Sequence, residues 1–153
     1  MAQNFTTALA NLETHLVAAG TAITPNITDV GAGEAGTPAV ASIRYWYNGD
    51  GDPARMARRT LTRESVGERV TIQALWAVAS RDKPIAASLE ARVRALKVAI
   101  KTALNGDSDL GASCESILVG DAEAGWLNAG GGTWRSLNIP LTIDMTDTDT
   151  IAR

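Results

Sequence analysis

The six residues Gly31 to Gly36, GAGEAG, have the G-x-G-x-x-G spacing with which many proteins hold a dinucleotide. This spacing binds phosphate when the glycine loop leads directly into a helix, because the free N–H groups of the helix N-terminus then meet the pyrophosphate. Here Thr37 and Pro38 follow, and after them a segment with the pattern of a strand. The sequence therefore predicts a flexible connector and no nucleotide site.

A second motif has the spacing of a calcium loop, with Asn48, Asp50 and Asp52 at alternate positions. An EF-hand loop needs Gly at its sixth position and a bidentate Glu at its twelfth, where this chain has Pro53 and Arg59. Weak cation binding stays open as an alternative, but the pattern excludes an EF-hand. We therefore expect no dedicated metal site.

Acid–base and nucleophilic catalysis have little support in the sequence. The one histidine, His15, lies beside the apolar stripe of an N-terminal helix, where we expect a boundary residue, and there is no G-x-S-x-G sequence. Paired acids such as Asp107 with Asp109 lie in turn-like segments, where water keeps the pKa of a carboxyl group in its ordinary range. We predict no enzyme, no catalytic residues and no cofactor.

The composition is typical of one soluble globular domain over residues 1–153, with 45% hydrophobic and 20% charged residues. No apolar run approaches the roughly 18 to 20 residues of a membrane helix. The N-terminus has no early Lys or Arg and carries Glu13 in its apolar part, which is unlike a signal peptide and predicts synthesis in the cytoplasm. Cys114 is the only cysteine, which excludes an internal disulfide and any zinc site built from several thiolates.

Charge is distributed unevenly along the chain, whose net charge is −3. Residues 1–43 hold three acidic residues and no Lys or Arg, residues 44–101 hold twelve basic against six acidic residues, and residues 102–153 hold two basic against eight acidic residues. The chain is not globally basic, which argues against a nucleic-acid-binding protein. It can still present one positive and one negative surface.

Hydrophobic periodicity predicts an α+β fold. A helix over about residues 4–18, ended by Gly20, precedes a small strand and then a long hairpin, whose second strand runs from Arg69 to about Ala79. A second helix follows, with a buried stripe of Ile85, Leu89, Val93, Leu96, Ile100 and Leu104. We expect a mainly antiparallel four- or five-stranded sheet with two helices packed on one face.

The last strand alternates strictly, with Leu137, Ile139, Leu141, Ile143 and Met145 on one side. Pro140 lies on the polar side, and because proline has no N–H to donate, we expect this strand at an edge of the sheet or interrupted by a bulge. Residues 146–153 have the composition of a flexible C-terminal tail.

Three segments carry candidate contact residues. Residues 48–66 have no convincing period and predict a long, mobile, basic loop with Arg55, Arg58, Arg59 and Arg63. The polar face of the second helix carries Glu90 and Arg94, which we expect to pair at i,i+4 on a solvated surface or at an interface. Trp126 and Trp134 flank the glycine run Gly130, Gly131 and Gly132. Either one tryptophan packs in the core under a loose loop, or partner subunits order this loop on assembly.

The segments RVTIQALWAVASRD, PIAASLEARVRALKVAIKTAL and ILVGDAEAGWLNAGGGTWRSLNIPLTID, in this order, resemble the tail terminator, or tail completion, proteins of long-tailed bacteriophages and related phage-like particles. The resemblance covers roughly residues 40–145. It implies a structural virion protein of the tail and neck, made in the host bacterial cytoplasm. Such a subunit forms a homo-hexameric ring that caps the head-proximal end of the tail tube, stops tube polymerisation and joins the head-completion, or stopper, proteins.

Under this resemblance the candidate residues are contact residues. The four arginines of residues 48–66 would meet the tail tube protein or the neighbouring subunit, and Trp126 with the Gly130–Gly132 loop and Trp134 would form a second contact. DNA would pass through the lumen without specific recognition, and no membrane is involved. Three alternatives stay open: another neck ring such as a head-completion protein, a small-ligand-binding α+β domain, and a nucleic-acid contact.

Overall fold

The computed structural model describes residues 3–33, 41–51, 65–78, 85–129 and 132–146. Two helices and six strands follow one another as α1 (Phe5–Ala22), β1 (Asp29–Ala32), β2 (Ser42–Gly51), β3 (Ser65–Val78), α2 (Ile85–Asn105), β4 (Ser116–Val119), β5 (Glu123–Ala129) and β6 (Gly132–Thr146). The predicted α+β class is confirmed, and the elements that were predicted occur in the predicted order.

The six strands form one mixed, mostly antiparallel sheet. Its order is β1-β2-β3-β6-β4, and β5 also pairs with β6. Only β1 and β2 are parallel; the other pairs are antiparallel. The sheet has more strands than the four or five predicted, because the sequence analysis assigned no strand to the residues of β5.

Both helices share one hydrophobic core with the sheet. The stripe predicted for α2 is buried at every position from Leu89 to Leu104, and the alternating side of β6 is buried from Leu137 to Met145. Cross-strand partners point to the same face of a sheet. The pairs Ile72 with Ile139 and Val70 with Leu141 therefore extend the apolar face of β6 across β3.

Pro140 does not mark an edge strand, which corrects our prediction. β6 lies inside the sheet, paired with β3 from Thr133 to Thr146 and with β4 and β5 on its other side. The carbonyl of Pro140 accepts from the N–H of Gly120 at 2.8 Å, in the interval between β4 and β5. Because N–H and C=O of one residue in an antiparallel strand point to the same side, the missing N–H of Pro140 faces this interval. Pro140 therefore lies outside the two ladders on this side, which end at Leu141 for the pairing with β4 and at Asn138 for the pairing with β5.

The sequence predicted that α1 ends at Gly20, but the helix continues to Ala22. Its N-terminus is capped by Asn4, whose side chain accepts from the N–H of Thr7 at 3.0 Å. A side chain at Gly20 would bring a Cβ atom to 2.5 Å from the carbonyl oxygen of Ile27. Gly20 is therefore required for a close approach of the chain that follows and not for a helix end.

The GAGEAG segment is not wholly a connector, because Gly31 and Ala32 belong to β1. A Cβ atom at Gly31 would lie 2.9 Å from a guanidinium nitrogen of Arg44, which forms an ion pair with Asp29 at 2.5 Å. The first glycine of the motif thus leaves room for an arginine, and the next described element is strand β2 and no helix.

The limits of the predicted loop and tail also change. Residues 48–51 belong to β2, residues 65 and 66 belong to β3, and Thr146 is the last residue of β6. A bulge lies between Tyr47 and Asp50, beside Gly49 at a φ of 90°. Residues 52–64, with the four candidate arginines, and residues 147–153 lie outside the described residues.

Candidate interface at the β5–β6 hairpin

The two tryptophans near the glycine run lie on opposite faces of one hairpin. Trp126 of β5 pairs with Arg135 of β6, and Leu127 pairs with Trp134, so that successive residues alternate between the faces. Trp134 is buried at 8% exposure, whereas Trp126 is 57% exposed. Trp134 is therefore the tryptophan that packs in the core, and Gly130 and Gly131 between the two strands lie outside the described residues.

The exposed indole of Trp126 rests on a buried arginine. The guanidinium carbon of Arg135 lies 4.8 Å from the centre of the Trp126 ring, a cation–π distance. The same guanidinium donates to the carbonyl of Gly125 at 3.0 Å and to the carboxylate of Glu90 on α2 at 2.8 Å. Two fixed hydrogen bonds thus orient the cation that supports the indole, and Trp126 is held as a rigid aromatic surface.

Glu90 provides the connection between this hairpin and α2. The sequence predicted that it pairs with Arg94 on the same helix, but its carboxylate contacts Arg135, which lies 45 residues away in sequence. The Glu90 side chain is 48% exposed and that of Arg135 is 11% exposed. The pair therefore lies at the surface of the α2–β5 boundary, with the arginine underneath.

Exposed apolar side chains concentrate at this edge of the sheet. Six large hydrophobic residues are exposed in the described ranges, and three of them, Leu118, Trp126 and Leu127, belong to β4 and β5. Leu118 and Leu127 lie on the face opposite Trp126, as their pairing with Thr142 and Trp134 shows. Among the described strands β5 pairs with β6 alone, so it is an edge strand there, with apolar residues on both faces, which favours contact with another chain.

A groove of about 330 Å³ runs between α2 and β5. Its floor is apolar, with Val93 and Leu137 from the core and two alanines from the β5 side, and Glu90, Arg94 and Lys97 line it from α2. Within the described ranges, Arg94 and Lys97 form no ion pair, while Glu90 is neutralised by Arg135. The groove therefore combines an apolar floor with two positive charges that have no ion-pair partner among the described residues.

The histidine is a structural residue in this arrangement. His15 Nε2 lies 2.7 Å from the carboxylate of Asp107, which links α1 to the turn after α2. The hydrogen bond from His15 and a second from the N–H of Gly111 lower the pKa of Asp107, which corrects the expectation of an ordinary value. A lowered pKa makes Asp107 a poor proton donor at neutral pH.

The calcium-like spacing and the single cysteine show no sign of a metal or catalytic site in the described residues. Asp50 of the calcium-like spacing accepts from the hydroxyl of Tyr47 at 2.8 Å on β2, and no group of three or more His, Cys, Asp or Glu side chains gathers within the described ranges. Cys114 is buried, and this burial raises the pKa of its thiol to about 12. A thiol with such a pKa is a weak nucleophile.

Of the candidate contact residues, the structure describes Trp126, Gly132 and Trp134, and it separates the two tryptophans onto different faces. Gly130 and Gly131 lie outside the described ranges. Sequence reasoning missed Arg135, and the only signal for it was a basic residue at an alternating position in an otherwise uncharged stretch of strand.

Comparison of the chain with protein-family models and with curated proteins finds no match. No helix in the described part of the chain is long and apolar enough to cross a membrane.

Proposed function

We propose that this chain is a structural virion protein, a tail terminator that forms a hexameric ring on the head-proximal end of a phage tail tube. The ring stops tube polymerisation and provides the joint to the head-completion proteins. The sequence resemblance gives this proposal its specific content, and the edge strand β5 with Trp126 is the structural observation that supports it.

Trp126 has the properties of a contact residue. Interface hot spots are enriched in Trp and Arg, and here both occur in one stacked pair whose geometry is fixed before any partner arrives. A preorganised side chain loses little conformational entropy on binding. An exposed indole of this kind therefore favours contact with another protein subunit over a role in folding alone.

The edges of the sheet suit a head-to-tail assembly. β1 lies at one end of the strand order and β4 with β5 lies at the other, so the chain offers two different surfaces at opposite sides. A contact between different surfaces of identical subunits closes into a ring when the rotation allows it. Complementary charge then steers partners to the two faces of the ring, in keeping with the uneven charge of the sequence.

Light scattering over a range of protein concentrations, with negative-stain images of the same fractions, tests the assembly. Six copies of a 16.0 kDa chain give a particle of about 96 kDa, and the images should show six-fold rings with a central hole. A two-fold dimer as the largest species would contradict the proposal.

A small-ligand-binding domain is the second candidate, favoured by the groove between α2 and β5. Its volume, about 330 Å³, is at the lower end of the range for ligand pockets. Saturable thermal stabilisation by a metabolite, with a monomeric mass in the same buffer, would favour this reading. Another neck ring would also give six-fold particles, and it differs from a terminator in binding the head-completion proteins without capping tail tubes.

A further inference from the structure

The α2–β5 groove has the chemistry of a site for an acidic, partly apolar peptide. Arg94 and Lys97 lie one turn apart on α2, which places their side chains about 5–6 Å apart at the Cβ atoms. Val93 and Leu137 close the floor with apolar surface. An occupant that matches this groove carries carboxylates at a similar spacing together with an aliphatic side chain.

Residues 147–153 of the chain itself, DTDTIAR, have this chemistry. In an extended peptide, alternate side chains point to the same side and lie about 6.6 Å apart. Asp147, Asp149 and Ile151 are alternate residues, so one side of the extended segment carries two carboxylates and one isoleucine, while threonines occupy the other side. The charge spacing and the apolar residue both correspond to the groove.

We propose that the α2–β5 groove binds residues 147–153 of a second copy of the chain. Asp147 and Asp149 lie against Arg94 and Lys97, and Ile151 covers the apolar floor. This inference rests on the ring proposed above, for which it supplies a contact between neighbouring subunits.

Geometry excludes the tail of the same copy as the occupant. Thr146 ends β6 nine residues beyond Leu137, and nine residues of strand span about 30 Å. Asp149 lies three residues after Thr146 and reaches at most about 11 Å from it. This reach is far shorter than the way back along β6 to the groove, so we assign the groove to the tail of a neighbouring copy. Each copy then gives its tail to one neighbour and receives the tail of another, as a closed heterologous ring requires.

A labelled synthetic peptide with residues 146–153, TDTDTIAR, tests the groove directly by fluorescence anisotropy. The receptor is the full chain with Asp147→Asn and Asp149→Asn, which reduces competition from the tails of other receptor copies. We expect saturable binding that strengthens at low salt, because screening of the ion pairs falls. No saturable binding up to millimolar receptor would overturn the proposal.

A matched pair of variants locates the site. Arg94 lines the groove and Arg92, two residues earlier on the same helix, does not. Arg94→Glu and Arg92→Glu change the net charge equally, so bulk electrostatics are the same for both. We expect Arg94→Glu to weaken peptide binding about tenfold or more and Arg92→Glu to change it about twofold or less. Equal affinities of the two variants, with unchanged circular dichroism, would overturn the assignment.

A charge exchange completes the test. A peptide with Asp147→Lys and Asp149→Lys should prefer the Arg94→Glu/Lys97→Glu chain to the unaltered groove, and the opposite preference would contradict the proposed ion pairs. The titration uses neither rings nor tail tubes, so its failure removes the groove contact and leaves the terminator proposal standing. Absence of rings and of capped tubes contradicts the terminator proposal, whatever the peptide does.

Discussion

Replacing each tryptophan of the β5–β6 hairpin by alanine should affect a different property: mainly stability at Trp134 and mainly assembly at Trp126. Trp134 is 8% exposed, and truncation of a buried Trp to Ala costs about 3–5 kcal/mol. Trp126 is 57% exposed and so buries roughly 100 Å², worth at most about 2.5 kcal/mol at 25 cal/mol per Å². Ala retains part of this area, and loss of the cation–π contact adds about 0.5–1 kcal/mol. We expect Trp126→Ala to lower the free energy of unfolding by about 2 kcal/mol.

Urea unfolding followed by circular dichroism measures both values without relying on the fluorescence of the residues removed. Light scattering of the same two variants then measures assembly at concentrations where each is fully folded. Trp126→Ala should weaken ring formation strongly in spite of its smaller effect on folding. Equal losses of stability, or unchanged ring formation by Trp126→Ala, would refute the assignment of Trp126 as a supported contact residue.

Three other predictions concern separate parts of the molecule. The pKa of Asp107 is lower in the folded chain than its ordinary value of 3.8. The ionised Asp107 therefore stabilises the fold fully at pH values above 3.8, and this stabilisation is lost as the pH falls through the lower pKa of the folded state. Asp107→Asn should therefore cost about 1 kcal/mol at pH 7, and the difference from the unaltered chain should shrink below pH 3.8 in acid titrations; a constant difference would contradict this. Cys114, whose pKa is about 12, should be thiolate in about one molecule in 10⁴ at pH 8 and react with a disulfide reagent only on unfolding; rapid reaction of the folded chain would show an accessible thiol. A variant in which Glu replaces Arg55, Arg58, Arg59 and Arg63 should assemble poorly and keep its circular dichroism spectrum. Normal capping of tails by this variant would refute a contact role for the four arginines.

The long periodic elements could be predicted from the sequence because local pattern determines them. The stripe from Leu89 to Leu104 and the alternation from Leu137 to Met145 each repeat over several turns or residue pairs, and burial followed both patterns. β5 could not be predicted in this way. Its sequence, EAGWLNA, contains a glycine and no β-branched residue, and it is a strand because β6 supplies its hydrogen-bond partners.

The candidate site depended on contacts that sequence spacing does not reveal. Glu90 had a suitable partner at i,i+4 in Arg94, yet it contacts Arg135 across the fold. Pro140 indicated an edge because a local pattern does not show the break between β4 and β5, and the missing N–H points into that break. Both errors arise from tertiary pairing, which a local pattern does not specify.

Images of tail tubes mixed with the chain test most directly the proposal that this chain closes the end of a tail tube. Tail tubes assembled from the tube protein of the same phage or phage-like particle should carry one six-fold disc at a single end after the chain is added, and their lengths should stop increasing. Bare ends and undiminished elongation, in the presence of excess folded chain, would contradict the account.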